Sequence, residues 1–405
     1  MAKRASGEGS IYRAADGWWH ASLSRGVDPA SGRRIRTHVM ARTKQEARAK
    51  LDAVLESHRA GTLDRRSATV DEWLDEWIAM ADRSLKPSTV AGYRVDAKRL
   101  RAKYGHLRIG DLSTRHIEML YDELAQRGLS SASVAGVHRS IRASLNEAVR
   151  RGWIEKNPAR FARPGRVVEK EVEPLTREET RAILDVAATH RNGTRWAIAL
   201  ALGLRQGEAL GLGWDDIDLD TGQLRVRRAI QRVPHRHGCA PPCGLKAKDC
   251  PRRGDGGIVE MDPKSRSGRR TIVMPAGMAA DLRSHLAAQK AERIRAGSMW
   301  RTGPHGGWVF ATETGAPTDP RRDWGTWKAL LAEAGVRDVR LHDARHSAAT
   351  YLLVQGVDAR TVMGILGWSQ VSLTARYQHV VPELMEEAAS RMNDYLWGDG
   401  RRPAR

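Results

Sequence analysis

A histidine, two arginines and a tyrosine in the second half of this chain form a set that can hold and attack a phosphate. In Leu341-His342-Asp343-Ala344-Arg345-His346 the first histidine and the arginine stand three apart, and residues at that spacing share one face of a helix. The arginine offers a planar two-pronged donor to a phosphate, and the histidine can donate to it or carry a proton. Arg205, in Gly203-Leu204-Arg205-Gln206-Gly207-Glu208, adds a second fork, with Glu208 three residues on to hold its guanidinium. Tyr377 lies 32 positions after Arg345 (377 − 345). Its hydroxyl can attack a phosphate and form a covalent ester. A phenol titrates near pH ~10, so attack at neutral pH needs cationic neighbours. The two arginines supply that field and would stabilise a five-coordinate phosphorus. Two other tyrosines compete for the role. Tyr351 falls within an apolar helical pattern and reads as packing, and Tyr395 lies near the C-terminus.

These residues need a scaffold, and hydrophobic periodicity outlines it. Thr176-Arg177-Glu178-Glu179 is a capping-box pattern that opens a helix. The apolar stretch 196–204 predicts a buried helix leading into Arg205. Asp220-Thr221-Gly222 is a turn ahead of a strand over 226–230, and 258–259 and 271–273 read as two more strands. Helices are expected near 276–295, 320–335, 341–355, 358–366 and 382–393. Further upstream, residues 69–157 read as helical. Trp73, Leu74, Trp77 and Ile78 repeat at helical spacing, Pro87 suits a first turn, 109–112 is a break, and 133–150 is amphipathic with His138, Arg139, Arg142 and Arg150 on its exposed side. Asn157-Pro158 ends the unit, because the residue before proline avoids the helix. Residues 159–173 read as a basic connector carrying Arg160, Arg163, Arg166 and Lys170. The first sixty residues read as strands over 10–13, 18–23 and 34–40, with turns at Asp16-Gly17 and 28–32. A helix over 43–58 follows, opened by Thr43 with Glu46 three later. Arg25, Arg33, Arg34 and Arg36 sit along this sheet, and 61–67 is a linker. The expected fold is a multidomain α+β chain. A small N-terminal three-stranded sheet plus helix spans 1–60, an all-helical domain 68–160, and a mainly helical domain with a small antiparallel sheet 174–397.

Composition agrees with a phosphate-rich partner. The 405 residues hold 68 Lys+Arg against 48 Asp+Glu, a formal charge of +20. A surplus spread along the whole chain suits nucleic acid. No run of about 18 apolar residues occurs, so no membrane span is expected. The N-terminus lacks the apolar stretch of a secretory signal. Three cysteines argue against a disulfide framework and for a reducing cytoplasm. All three fall between two predicted strands, with His235 and His237 beside them. His237-x-Cys239-x3-Cys243-x6-Cys250 gathers four ligands within 14 residues, which suits a tetrahedral structural zinc. The spacing is not a standard double Cys-x2-Cys, and a basic insertion without fixed structure is the competing reading.

The stretches around Arg205 and His342, and Val371-Ser372-Leu373-Thr374-Ala375-Arg376-Tyr377-Gln378-His379, resemble the tyrosine recombinase (phage-type integrase) family. The resemblance implies a site-specific DNA recombinase, the integrase of a phage or integrative element. Tyr377 would be the nucleophile, and Arg205 and Arg345 the phosphate clamp. Pro263-Lys264-Ser265-Arg266 reads as a hairpin turn entering a strand; in the family such a hairpin carries a lysine, here Lys264, that protonates the leaving 5′-oxygen. Leu366-Gly367-Trp368-Ser369 resembles the family's Leu-Gly-His-Ser, with Trp368 where a second histidine is usual. Its indole N–H can donate to a phosphate oxygen but cannot move protons, so base duty falls on His342 or solvent; packing is the alternative role for Trp368. No cofactor is implied for the chemistry. The N-terminal module resembles arm-type DNA-binding modules, and the helical unit the core-binding domain. The implied partners are double-stranded DNA attachment sites, a homotetramer in the synaptic complex, and an excisionase or host DNA-bending protein, in a bacterial cytoplasm. A type IB topoisomerase or a non-catalytic DNA-binding regulator on the same fold are the competing readings.

Overall fold

Alternating small apolar and polar residues build the first sheet, in which β1 (Ser10–Arg13), β2 (Trp19–Val27) and β3 (Arg34–Ala41) run antiparallel in that order. The structure is a computed structural model that describes residues 9–27, 34–59, 68–168, 173–239, 243–254, 256–263, 266–369 and 381–397. The turn expected at 28–32 and the linker at 61–67 lie outside the described residues. Ala21 and Leu23 bury one sheet face against Leu51 and Leu55 of α1 (Lys44–Arg59). Thr43 and Glu46 close the expected capping box, with Glu46 N–H donating to Thr43 Oγ1 at 3.2 Å, a device worth about 1 kcal/mol. The strand register leaves Ser10, Ser22 and His38 in one row of the open face, and Tyr12, His20 and Met40 in the next.

The chain divides into two compact units, Met1–Lys170 and Glu171–Arg405. Within the first, α2 (Val70–Ser84), α3 (Pro87–Tyr104), α4 (Thr114–Gln126) and α5 (Ser131–Arg150) enclose one core built on Trp73, Leu74, Leu100, Ile117 and Leu145. The Trp73 indole donates to Ser144 Oγ at 2.9 Å, linking α2 to α5 through a buried bond. The connector expected from residue 159 begins later, because Ala159 and Ala162 are buried in this core.

In the second unit Thr176 caps α6 (Arg177–Thr189) in the expected box with Glu179. Helices α7 (Thr194–Ala201), α8 (Gln206–Leu210), α9 (Ala276–Ala296), α10 (Pro320–Glu333), α11 (Leu341–Val354), α12 (Ala359–Leu366) and α13 (Val381–Trp397) surround two small antiparallel sheets. One sheet orders β4 (Ile217–Asp218), β5 (Gln223–Val226) and β8 (Arg270–Val273); the other pairs β6 (Ala229–Val233) with β7 (Gly257–Met261).

Two strand expectations need correction. The strand predicted over 226–230 is split between the sheets, because Arg228 turns inward onto buried Asp216 and the Gly211 carbonyl. Lys264 and Ser265, at the turn expected before the last strand, lie outside the described residues, and the flanking strands β7 and β8 pair with β6 and β5 rather than with each other. Val226 pairs with Arg270 and Ala229 with Met261, so the pairing breaks between 226 and 229 on one side and between 261 and 270 on the other. The buried helix predicted through 204 stops at Ala201. Gly203 takes φ +59°, and a Cβ there would lie 2.4 Å from Leu366 Cδ2.

Candidate active site

The chain leaves α7 through Gly203 so that Arg205 stands at the start of α8, beneath the end of α12. Arg205 Nη1 donates to Glu208 Oε1 at 2.6 Å, and its Nη2 donates to the Gly367 carbonyl at 3.3 Å. Arg345, on α11, is 3% exposed. Its Nη1 donates to the Gly203 carbonyl at 2.6 Å, and its Nη2 donates to the Leu366 carbonyl. Both forks are thus anchored on one turn, 366–367. Gly367 makes that turn with φ +64°, and a Cβ on it would fall 2.8 Å from the Ser267 carbonyl. At Gly203 and Gly367 alike, glycine allows a left-handed backbone and a close approach at the same point.

Glu208 is buried between two arginines, Arg205 and Arg270, the latter donating to Glu208 Oε2 at 3.0 Å. Burial pushes its carboxyl up, but the Arg270 and Arg205 guanidiniums outweigh that and hold it below the usual carboxylate range. Three guanidinium charges (Arg205, Arg270, Arg345) against one carboxylate leave a surplus of two positive charges in a small volume. A phosphate gaining negative charge as it is attacked would be stabilised most there.

His342 sits one helical turn before Arg345 at the surface of α11, with the His346 ring edge-on at 5.3 Å between centroids. Its ring is open to solvent on one side and crowded by protein on the other. That loss of water pushes its pKa down to about 4, with His346 and Arg345 adding to the shift. The imidazole is therefore neutral at neutral pH and free to accept a proton. Trp368 is half-buried beside Ala349, Val362 and Leu366 and lies under the Arg345 guanidinium, 5.9 Å from Cζ to ring centroid. The structure thus brings Arg205, His342, Arg345 and Trp368 together, while Lys264 and Tyr377 lie outside the described residues. Asp343, within the same motif, faces away and binds Arg340 through two bonds of 2.9 and 3.0 Å.

Sequence reasoning missed a supporting layer. Gln206, next to Arg205, donates to Asp323 Oδ2 at 2.9 Å and to the Pro320 carbonyl at 2.8 Å, and Asp323 also pairs with buried Arg195 at 3.2 Å. Arg270 carries no assignment from the sequence. The one available signal was the polar character of Gln206 and Arg195 beside apolar stretches, which does not tell a buried tether from a surface residue.

At the far end of the β6–β7 ribbon, His237, Cys239, Cys243 and Cys250 each place one ligand atom within 4.8 Å of the others. Cys239 Sγ lies 3.5 Å from Cys250 Sγ and 3.7 Å from His237 Nδ1, and Cys243 Sγ lies 3.7 Å from the same nitrogen. Burial pushes the Cys250 thiol up, but hydrogen bonds with His237 and Cys239 overcome it and bring it down to about 6. His235 is not in the group; its Nδ1 lies 3.4 Å from the Gly254 carbonyl.

Comparison with known proteins agrees with this geometry. Residues 243–383 match the model of the Phage integrase family. An integrase of Saccharopolyspora erythraea is 36% identical over 97% of this chain and 98% of its own length. Among solved structures, the Tn1549 transposon integrase in complex with transposon right end DNA covers 79% of this chain and 99% of its own, with TM-score 0.64 at 19% identity. A lambda integrase tetramer bound to a Holliday junction covers 93% of this chain and 96% of its own, with TM-score 0.53 at 16% identity. The chain belongs to the phage integrase family of tyrosine recombinases. It is a site-specific DNA recombinase, an enzyme that transfers DNA strands, and its relatives favour neither a topoisomerase nor a non-catalytic regulator. Among the described residues no helix is long and apolar enough to cross a membrane.

Proposed function

We propose that this recombinase cuts and rejoins duplex DNA through a covalent bond to Tyr377. The phenol oxygen attacks the scissile phosphorus while its proton passes to His342 or to solvent. Arg205 and Arg345 hold the non-bridging oxygens, with the Trp368 indole behind Arg345. Lys264 protonates the departing 5′-oxygen. One P–O bond forms and one breaks, leaving a 3′-phosphotyrosyl link and a 5′-hydroxyl. The 5′-hydroxyl of a partner strand then attacks that link and releases Tyr377. Bond energy is conserved, and the arginine charge does the work for which other phosphoryl-transfer sites use a cofactor. The observation that carries this reading is the pair of guanidiniums fastened to one turn, in a cluster where Arg205, Arg270 and Arg345 outnumber the single carboxylate of Glu208 by two charges. A nicked duplex spanning the element's own junction sequence, from which the cleaved 5′-end diffuses away, tests it. The chain becomes covalently attached to the 3′-end, visible as a shifted band under denaturing conditions; no adduct at any protein concentration rules the reading out.

The domain assignment we propose is 1–60, 68–160 and 174–397. The open face of the first sheet, with Tyr12 stacked on His20 at 5.6 Å and Arg36 and His38 exposed, supports an arm-type DNA-binding module. The helical domain would grip the core of a double-stranded attachment site. By analogy with the lambda integrase tetramer, four copies would assemble in synapsis, in a bacterial cytoplasm at the nucleoid, with an excisionase or host DNA-bending protein setting direction.

For the cysteine group we propose a structural zinc held by His237, Cys239, Cys243 and Cys250. Tetrahedral zinc with Zn–S near 2.3 Å implies ligand-to-ligand edges of about 3.5–3.8 Å, and the 3.5–3.7 Å separations fit that. A low thiol pKa at Cys250 favours the thiolate that binds metal. Metal analysis of protein purified without chelator is expected to return about one zinc per chain, and stripping it to lower the melting temperature. Zinc-free protein together with undiminished stability in the triple Cys→Ser variant would leave the segment a plain loop.

A further inference from the structure

We propose that Gln206 is a positioning residue for Arg205, pinning the start of α8 to the first turn of α10 so that the arginine meets the phosphate from a fixed place. This rests on the reading of Arg205 as a phosphate-binding residue.

Gln206 is the first residue of α8, and Arg205 is the cap before it. A helix of five residues has too few internal bonds to stand alone, so its neighbours decide where it lies. The Gln206 amide Nε2 donates to the Pro320 carbonyl at 2.8 Å and to Asp323 Oδ2 at 2.9 Å. Both neighbours are acceptors, so the amide nitrogen rather than its oxygen must face them, and its two hydrogens are both used. Pro320 and Asp323 belong to the first turn of α10. Asp323 Oδ2 also accepts from Arg195 Nη2 at 3.2 Å, and the Arg195 and Asp323 side chains are 2% and 3% exposed. Arg195 lies in α7. One buried oxygen therefore holds the chain on either side of residues 196–205. That stretch carries Arg205 itself and the Gly203 carbonyl, which accepts from Arg345.

Other contacts act on α8 in other directions. A Cβ on Gly207 would lie 2.6 Å from the Ile230 carbonyl, so the helix is pressed close against β6. Glu208 accepts from Arg205 Nη1 and from the Arg205 backbone N–H within the same short helix, and Arg270 joins it from β8. Those bonds orient the guanidinium and tie it toward β8 and α12. Gln206 adds the tie toward α10, and its bond to the buried carboxylate is charge-assisted. Without that tie the backbone under Arg205 gains freedom in the α10 direction. A displaced arginine then presents its hydrogens less well to the oxygens that gain charge.

The test uses the full chain and two nicked duplexes of the element's junction sequence. One has an ordinary scissile phosphate. In the other a methyl group replaces one non-bridging oxygen, so the group carries no net charge and asks less of an arginine. Single-turnover cleavage is measured for each variant relative to wild type on the same duplex. Arg205→Ala is expected to lose about 100-fold or more on the phosphate and far less on the methylphosphonate. Gln206→Met keeps the length of the side chain but has no hydrogen to give. It is expected to lose about tenfold on the phosphate, as misplacement of a catalytic group does, and much less on the methylphosphonate. The double variant Arg205→Ala/Gln206→Met is expected to be little worse than Arg205→Ala alone, since both act through one side chain. Near-normal cleavage of the phosphate by Gln206→Met overturns the proposal, as does an equal loss on the two duplexes while Arg205→Ala shows the contrast. Absence of the contrast in Arg205→Ala itself refutes the phosphate-binding reading, and the role of Gln206 falls with it. Gln206 is half-buried, so Gln206→Met is expected to melt close to wild type. Melting curves and duplex affinity identify a variant that merely fails to fold, and Gln206→Ala, which also removes the donor and suits a helix, then carries the comparison.

Discussion

Tyr377→Phe is expected to abolish covalent attachment to DNA and all recombination, while duplex affinity changes by no more than about twofold, since one hydroxyl is lost and the ring and the backbone stay. The expectation is strict because the other tyrosines of the catalytic unit are poor substitutes. Tyr351 has its hydroxyl occupied: it donates to the Leu175 carbonyl at 2.5 Å and lies 2.7 Å from Thr180 Oγ1. Burial raises its pKa, the opposite of what a nucleophile needs. Tyr395 lies near the end of α13 and is 86% exposed. Denaturing gels of the suicide duplex, run with wild type and variant, give the answer. An adduct formed by Tyr377→Phe at the wild-type rate would require a different nucleophile.

Arg345→Ala and Arg205→Ala are each expected to slow cleavage by about 100-fold or more, the usual cost of removing a donor that meets charge in the transition state. Their effects on stability are expected to differ. Arg345 is buried, and its removal strands the Gly203 and Leu366 carbonyls, each worth about 1–3 kcal/mol if left unpaired. A melting temperature lower by several degrees should accompany the loss of activity. Arg205 is half-exposed, and Glu208 keeps Arg270 after its removal, so Arg205→Ala is expected to melt close to wild type. Single-turnover cleavage with parallel melting curves separates the two effects. Near-normal cleavage by either variant would mean that the phosphate is held elsewhere.

What the sequence revealed tracks how local each signal is. The three-residue spacing of His342 and Arg345 is set by one helix. The capping boxes at Thr43 and Thr176 are set by four residues each, and the cysteine cluster by fourteen. All could be read along the chain. The Arg270 tether could not, because its partners Glu208 and Ile365 stand 62 and 95 positions away, and nothing nearby distinguishes it from Arg269, which is solvated. The split between β5 and β6 was hidden for the same reason: Arg228 leaves the strand for Asp216, 12 residues earlier. Gly203 and Gly367 could be read as motif letters, but the close approaches that exclude a side chain there come from residues far along the chain, Leu366 and Ala348 at one and Ser267 and Arg270 at the other.

The cysteine group also bears on the order in which the catalytic unit assembles. Val233 and Gly257, the last paired residues of the β6–β7 ribbon, enclose 23 residues (257 − 233 − 1). Closing so long a loop costs entropy before five cross-strand pairs return anything. Once His237 and Cys250 are gathered, only residues 234–236 and 251–256 remain to close, nine in all (3 + 6). On a logarithmic closure law the difference is roughly 1 kcal/mol, so a zinc that bound these four side chains before the strands met would ease the pairing of β6 with β7. A metal bound to this distant knot of side chains would therefore act on the speed at which the ribbon forms as well as on its final stability.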